Sequence, residues 1–261
     1  GIGMSRSSQR VQLTRAYVLH QRPFRDSSLI VEVFAREYGR MTLFARAARG
    51  PRSRFAALQP FQALLLSWSG RGEAPQLTAA ESADAPGADA PAAAALPPQL
   101  PPAQLLSAFY LNELLLTLTT RHDPHPELFD HYGFTLARLC QGSPADASLR
   151  RFEARLLEFI GYGLNLAAEA DTGRPVRAGA HYHFRPGVHG VVLAQADAAG
   201  AIAGHVLQGL DAQTELTGEA DLRQARALMR AAIDHCLEGR ELRTRVVARS
   251  LINYPRRERT A

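Results

Sequence analysis

The sequence predicts an α+β protein: a five-stranded N-terminal β-barrel followed by a mainly α-helical domain with an irregular insert. Three observations predict it. Up to about residue 81, apolar and polar residues alternate between Gly, Pro and Asp turns, which is the period of strands. From residue 103 onward apolar residues recur at helical spacing. Between them, residues 82–102 are rich in Ala, Pro and Gly, hold little that could form a core, and read as a linker or crossover. A chain of 261 residues is long enough for two such cores.

The first strand spans Val11 to His20 and meets a turn at Arg22-Pro23-Phe24-Arg25-Asp26. The second, Ser28 to Ala35, sets Leu29, Val31 and Val33 against Ile30, Glu32 and Phe34, so one set must face the core. Tyr38-Gly39-Arg40 makes a tight turn into a third strand, Met41 to Ala47. After an Arg-rich connection, Phe61 to Ser69 and Gln76 to Glu81 complete five. Five strands with a long third connection predict an OB-fold barrel, although an SH3-like barrel has the same strand count. Ala103 to Leu118 is apolar nearly all round, as a central helix would be, and Pro126 to Cys140 forms a second helix with Pro in its first turn. A third opens at Ser143-Pro144-Ala145-Asp146, with Ser143 as its cap, and buries Leu149, Phe152, Leu156 and Ile160. Gly161-Tyr162-Gly163 ends it. The insert at about 165–205 has lost the helical period, a further helix runs from about Glu219 to Glu238, and a short basic segment and a polar tail close the domain at 261. The opening Gly1-Ile2-Gly3-Met4 reads as an appended remnant.

Charge separates the two parts. All 30 cationic side chains are arginine. Residues 1–60 hold 11 Arg against 3 acids, a net +8, and the other 201 residues hold 19 Arg against 22 acids, a net −3. A GC-rich genome explains Arg in place of Lys, but it does not explain why the excess is confined to one end. A basic β module points to a polyanion, and guanidinium groups both pair phosphate oxygens and stack on base faces. The residues expected to contact DNA are Arg22, Arg25, Arg40, Arg46, Arg49, Arg52 and Arg54, interleaved with Phe24, Tyr38, Phe44 and Phe55, some of which must be core, with mid-strand Phe44 expected to be buried; Arg243 and Arg245 form a second basic cluster.

The same inventory excludes chemistry. Without lysine there is no phosphate-loop lysine and no Schiff-base nucleophile. No Gly-x-Ser-x-Gly elbow or paired-carboxylate site occurs, so no catalytic residue, cofactor or enzymatic activity is expected. His122-Asp123-Pro124-His125 with Asp130-His131 reads as a helix-initiating loop, and His181, His183 and His189 lack a Cys or carboxylate pair, so no metal is expected. The cysteines, Cys140 and Cys236, are far apart on helical patterns, and no signal or membrane-spanning segment is evident; a soluble cytoplasmic protein is expected. The third helix carries Arg150 and Arg151 beside its apolar face. That is either a solvated flank or, with Leu156 and Ile160, a groove for an acidic peptide with an apolar tip.

These segments resemble the RecO family of bacterial DNA repair and recombination mediators. The resemblance lies in Tyr17-Val18-Leu19-His20 with Arg22-Pro23, Gly39-Arg40 with Ala47-Ala48-Arg49, Leu58-Gln59-Pro60-Phe61, Tyr110-Leu111-Asn112-Glu113, Leu149-Arg150-Arg151-Phe152-Glu153, Gly161-Tyr162-Gly163 and Leu242-Arg243-Thr244-Arg245, all in order. It implies an OB-fold and a helical domain, binding of single- and double-stranded DNA, and annealing without ATP. It also implies a nucleoid-associated protein that contacts the acidic C-terminal tail of single-stranded DNA-binding protein and, with RecR, helps RecA load onto coated DNA. Some members carry a Cys-rich zinc site after the position of Gly163; here the insert has no cysteine, so zinc is not expected. A protein-protein adaptor and a metal-dependent nuclease are the alternatives, the first leaving the +8 domain unexplained and the second needing clustered carboxylates.

Overall fold

The structure, a computed structural model, describes residues 10–50, 53–83, 99–214 and 216–253. Most of the expected 82–102 linker, Arg52, the opening remnant and the polar tail lie outside the described residues. The chain divides into two compact units, one made of 1–101 with 119–140 and the other of 102–118 with 141–261.

The first unit is a closed barrel of β1 (Arg10–Phe24), β2 (Ser28–Ala35), β3 (Gly39–Ala45), β4 (Leu64–Ser69) and β5 (Gln76–Ser82). Its order is β1-β2-β3-β5-β4, with β1 also paired to β4. All pairings are antiparallel except β3 to β5, a single parallel contact at Phe44 and Gln76. The crossover order is that of an OB barrel, which decides between the two barrels that strand count left open. Val31, Val33, Met41, Leu43, Leu64, Leu66 and Leu77 fill the interior, each 3% exposed or less. β1 runs on through the expected turn to Phe24, and the turn falls instead at residues 25–27. Bulges at Val11/Thr14 and Val18/His20 let so long a strand curl around the barrel.

Helix α2 (Pro126–Cys140) belongs to this unit and not to the helical one that the sequence reading began at residue 103. Tyr17 and Phe34 face outward from the barrel, and Phe129 and Tyr132 of α2 cover them with ring centroids 4.9 to 6.4 Å apart. Such pairs each add about 0.5 to 1.5 kcal/mol beyond the area they bury.

The second unit gathers α1 (Leu105–Leu118), α3 (Ala145–Phe159), α4 (Gly204–Asp211), α5 (Glu219–Leu237) and α6 (Arg243–Asn253). α1 is central, with Ala108, Leu111, Leu114 and Leu115 fully buried, and it packs on α3, α5 and α6. The insert is a small sheet, β6 (Asn165–Glu169), β7 (His181–Arg185), β8 (Gly190–Ala194) and β9 (Ile202–Ala203), in the order β6-β8-β7-β9. Pro144 is the residue that precedes α3, without a side-chain cap, so the expected Ser143 cap does not form. Asp146 in that first turn supplies the negative charge instead. α6, read from sequence as a short basic segment, is a helix whose first amides are capped from α1. The Glu113 carboxylate accepts from Arg243 N at 2.6 Å, Thr244 N at 2.9 Å and Thr244 Oγ1 at 2.6 Å.

Candidate nucleic-acid interface

Cross-strand partners in a sheet point to the same side, so register alone orders the outer face of β1, β2 and β3. Three rows result: Tyr17, Phe34 and Arg40; His20, Glu32 and Thr42; Arg22, Ile30 and Phe44. Phe24, paired with Ser28, extends the face toward the turn.

The first two rows are occupied by the chain itself. Arg36 donates to both carboxylate oxygens of Asp130 at 3.0 and 2.8 Å. Asp130 is thereby held below the usual carboxylate range, and Arg36 is raised above its ordinary value by Asp130 first and Glu37 second. Arg121 donates to Glu32 Oε1 at 2.6 Å and to Thr42 Oγ1 at 2.7 Å, while the Thr42 hydroxyl donates to Glu32 at 2.6 Å. Arg40 reaches the Thr119 carbonyl at 2.8 Å, and its own carbonyl accepts from His122 N at 2.9 Å. Burial lowers the Arg40 pKa, with the charge of Arg121 adding to the effect. Gly39, at φ +73°, lets this segment approach: a Cβ there would lie 2.4 Å from the Asp123 carbonyl oxygen. Arg40 was expected to contact DNA. Instead the structure turns its guanidinium into the protein, where it donates to the Thr119 carbonyl and lies 3.8 Å from the Glu32 carboxylate.

The third row is open. Arg22, Arg25, Arg46, Arg49 and Arg54 are exposed, and among the described residues none of them is ion-paired to a carboxylate. Arg49 ties the two loops of this end together, its amide donating to the Ser27 carbonyl at 3.0 Å and its guanidinium to the Arg25 carbonyl at 3.2 Å. Half-buried Phe24 and Phe44 meet edge to face with centroids 5.7 Å apart, and the Arg25 guanidinium lies 5.3 Å from the Phe24 ring centroid. Arg54 lies 5.0 Å from the ring of Phe55, but Phe55 belongs to the barrel interior. Tyr38 packs edge-on against Trp68 at the margin of that core. Of the four aromatics picked from sequence, Phe24 and Phe44 therefore remain on the outer face. Ile30, which joins them, was not singled out, although its alternation opposite the inward Val31 marks it as outward.

The second unit holds a groove of about 370 Å³. Leu106, Tyr110, Leu149 and Ala248 give it apolar walls, and Arg226, Arg230 and Arg245 stand around it. Arg150 also lines it but is buried and fully engaged, bonding Glu153 through Nε at 2.5 Å and Nη2 at 2.6 Å and Asp146 through Nη1 at 2.8 Å. Tyr110 donates to the same Glu153 at 2.7 Å; burial first, and Glu153 second, raise its pKa. Leu156 is 0% exposed in the core, and neither it nor Ile160 nor Arg151 lines this groove. The expected constellation of Arg150, Arg151, Leu156 and Ile160 thus does not converge on it, because the helix turns Phe152 and Leu156 into the core and presents only half-buried Leu149 to the groove. Arg245 pairs with Asp234, whereas Arg243 is exposed at the start of α6. Arg226 and Arg230, four apart on α5, are the flanking cations that sequence reading passed over. Among the described residues no three His, Cys, Asp or Glu side chains converge as a metal set would, and no helix is long and apolar enough to cross a membrane.

The family described as Recombination protein O N terminal matches residues 10–86, and Recombination protein O C terminal matches residues 102–245. Curated relatives run nearly the full length. A DNA repair protein RecO of Alkalilimnicola ehrlichii is 45% identical over 253 residues, spanning 96% of each chain. Another, of Nitrosococcus oceani, is 42% identical over 95% of this chain and 98% of its own, and one from Methylococcus capsulatus is 41% identical over 92% and 94%.

Proposed function

This chain belongs to the RecO family, and from that premise we propose that it acts in DNA repair and recombination by holding DNA on the open end of its barrel. The observation that carries the reading is the set of exposed arginines, Arg22, Arg25, Arg46, Arg49 and Arg54, none of them ion-paired to a carboxylate among the described residues, with Arg22 and Arg25 beside an apolar strip. A cation already paired to an acid must give up that partner before it can neutralise a phosphate and release the counterions condensed there; a cation without such a partner need not. Binding is therefore electrostatic in origin, indifferent to sequence, and open to single and double strands alike.

Neutralising two phosphate backbones lowers their mutual repulsion, so complementary strands anneal on this protein without nucleotide or metal, including strands coated with single-stranded DNA-binding protein. In the second unit, the apolar groove suits the acidic, Phe-ended tail of that protein, the ring entering between Leu106 and Leu149 and supplying most of the affinity, while the tail's carboxylates compete with Asp146 for Arg226 and with Asp234 for Arg230 and Arg245. Cooperation with RecR in loading RecA completes the reading, and the protein works on the nucleoid in the cytoplasm without itself catalysing a reaction.

Fluorescence anisotropy of labelled oligonucleotides across a salt series tests the proposal. Affinity falls steeply with salt, with a log-log slope of about −0.7 per neutralised phosphate on single strands. A salt-insensitive or strongly sequence-selective isotherm contradicts it.

A further inference from the structure

The open end of the barrel carries more than charge. Phe24, Ile30 and Phe44 form a half-buried apolar strip beside Arg22 and Arg25, on the outer face and outside the barrel's core cluster. A phosphate backbone gains nothing from such a strip, whereas the face of an unpaired base stacks on it. The backbone beside the strip is also strained. Arg25 follows Phe24 at φ +53°, and Ala47 lies just beyond β3 at φ +52°, both left-handed conformations that side chains disfavour by about 1 to 2 kcal/mol. The first of these strained residues sets its guanidinium over the Phe24 ring, and Arg49 clamps its carbonyl.

We infer that Phe24, Ile30 and Phe44 form a stacking platform for unpaired bases, so that this site grips single strands more tightly than the duplex that annealing produces. The inference rests on the reading of the barrel end as the DNA site and adds the chemistry by which it tells its substrate from its product. Arginines hold both forms through phosphate. The platform holds only the form whose base faces are free, and pairing withdraws those faces into the duplex stack. Product release is then built into the site: closing the base pairs removes the stacking contribution and leaves a weaker, purely electrostatic contact.

The test uses the full chain with Phe24→Leu, Phe44→Leu and Phe44→Tyr, alongside the Ala variant of Arg22, Arg25, Arg46 and Arg49, each checked for an unchanged melting temperature. Single-stranded oligonucleotides carrying a fluorescent adenine analogue, and the matching duplex, are titrated against each. Each Leu variant loses about fivefold to tenfold in single-strand affinity, keeps duplex affinity within about twofold, and loses part of the quenching that stacking produces. Phe44→Tyr, which retains a ring, behaves as the parent. Equal losses on single strands and duplex, or quenching that survives both Leu substitutions, overturns the platform. If the Arg variant loses DNA while the Leu variants match the parent, the platform falls and the proposed DNA site stands; if the Arg variant binds as the parent does, both fall.

Discussion

Arg40 and Arg22 project from the same outer face of the same barrel, two rows apart, yet their surroundings differ completely. Arg40 is held by Thr119 and Glu32 beneath the segment that leads into α2. Arg22 is exposed and, among the described residues, has no acid paired to it. The difference teaches that a count of cations measures a domain's charge but not its capacity to bind a polyanion. That capacity belongs to guanidinium groups the fold has not already used.

The comparison breaks most visibly if its open side is removed. Replacing Arg22, Arg25, Arg46 and Arg49 with Ala lowers DNA affinity by about 10²- to 10³-fold at roughly 0.1 M salt, with melting temperature nearly unchanged because exposed sites tolerate substitution. The covered side should respond in the opposite sense, in stability and not in binding. Gly39→Ala places a Cβ 2.4 Å from the Asp123 carbonyl oxygen at φ +73°, and denaturant unfolding should show a loss of about 3 kcal/mol or more. Arg40→Ala takes a donor from the Thr119 carbonyl and the nearby positive charge from Glu32, and costs about 2 to 4 kcal/mol, while DNA affinity per folded molecule stays within about twofold.

The smallest effect is one of pH. Asp130 is depressed by Arg36, so its contribution to docking α2 is complete above the unfolded carboxylate pKa, near 4, and is lost as pH falls through the lower folded value. Because the pair is largely exposed, the change is slight and further weakened by salt. Near-ultraviolet circular dichroism of the Tyr17, Phe34, Phe129 and Tyr132 cluster, followed from pH 5 to 2 with Asp130→Asn as the reference, would report it.

Alternation made the barrel readable from sequence, because Val31 and Val33 must face away from Glu32 and Phe34 whatever lies around them. Periodicity identifies the face of an element but not its partner, and the departures follow from that. α2 was found residue for residue, yet its place against Tyr17 and Phe34 depends on a contact far apart in sequence. α6 was missed because its arginines make the segment polar on average, and its start is fixed by Glu113, some 130 residues away. In the candidate sites, aromatics among arginines are a local signal that singled out Phe24, whereas Phe44, expected in the core from its mid-strand position, is half-buried on the outer face. Arg40 was read as free for DNA, and Leu156 as a groove wall as well as a core residue; whether a side chain is spent or buried is settled by segments distant in the chain. Arg52 lies outside the described residues.

The central claim, that DNA is held by the unspent arginines of the barrel end, is tested most directly by the salt dependence of single-strand binding in the parent and in the Ala variant of Arg22, Arg25, Arg46 and Arg49. If these four neutralise phosphates, the magnitude of the log-log slope falls by about 3 in the variant, about 0.7 for each lost contact. A folded variant whose slope matches the parent's would contradict the account and move the DNA site off this end of the barrel.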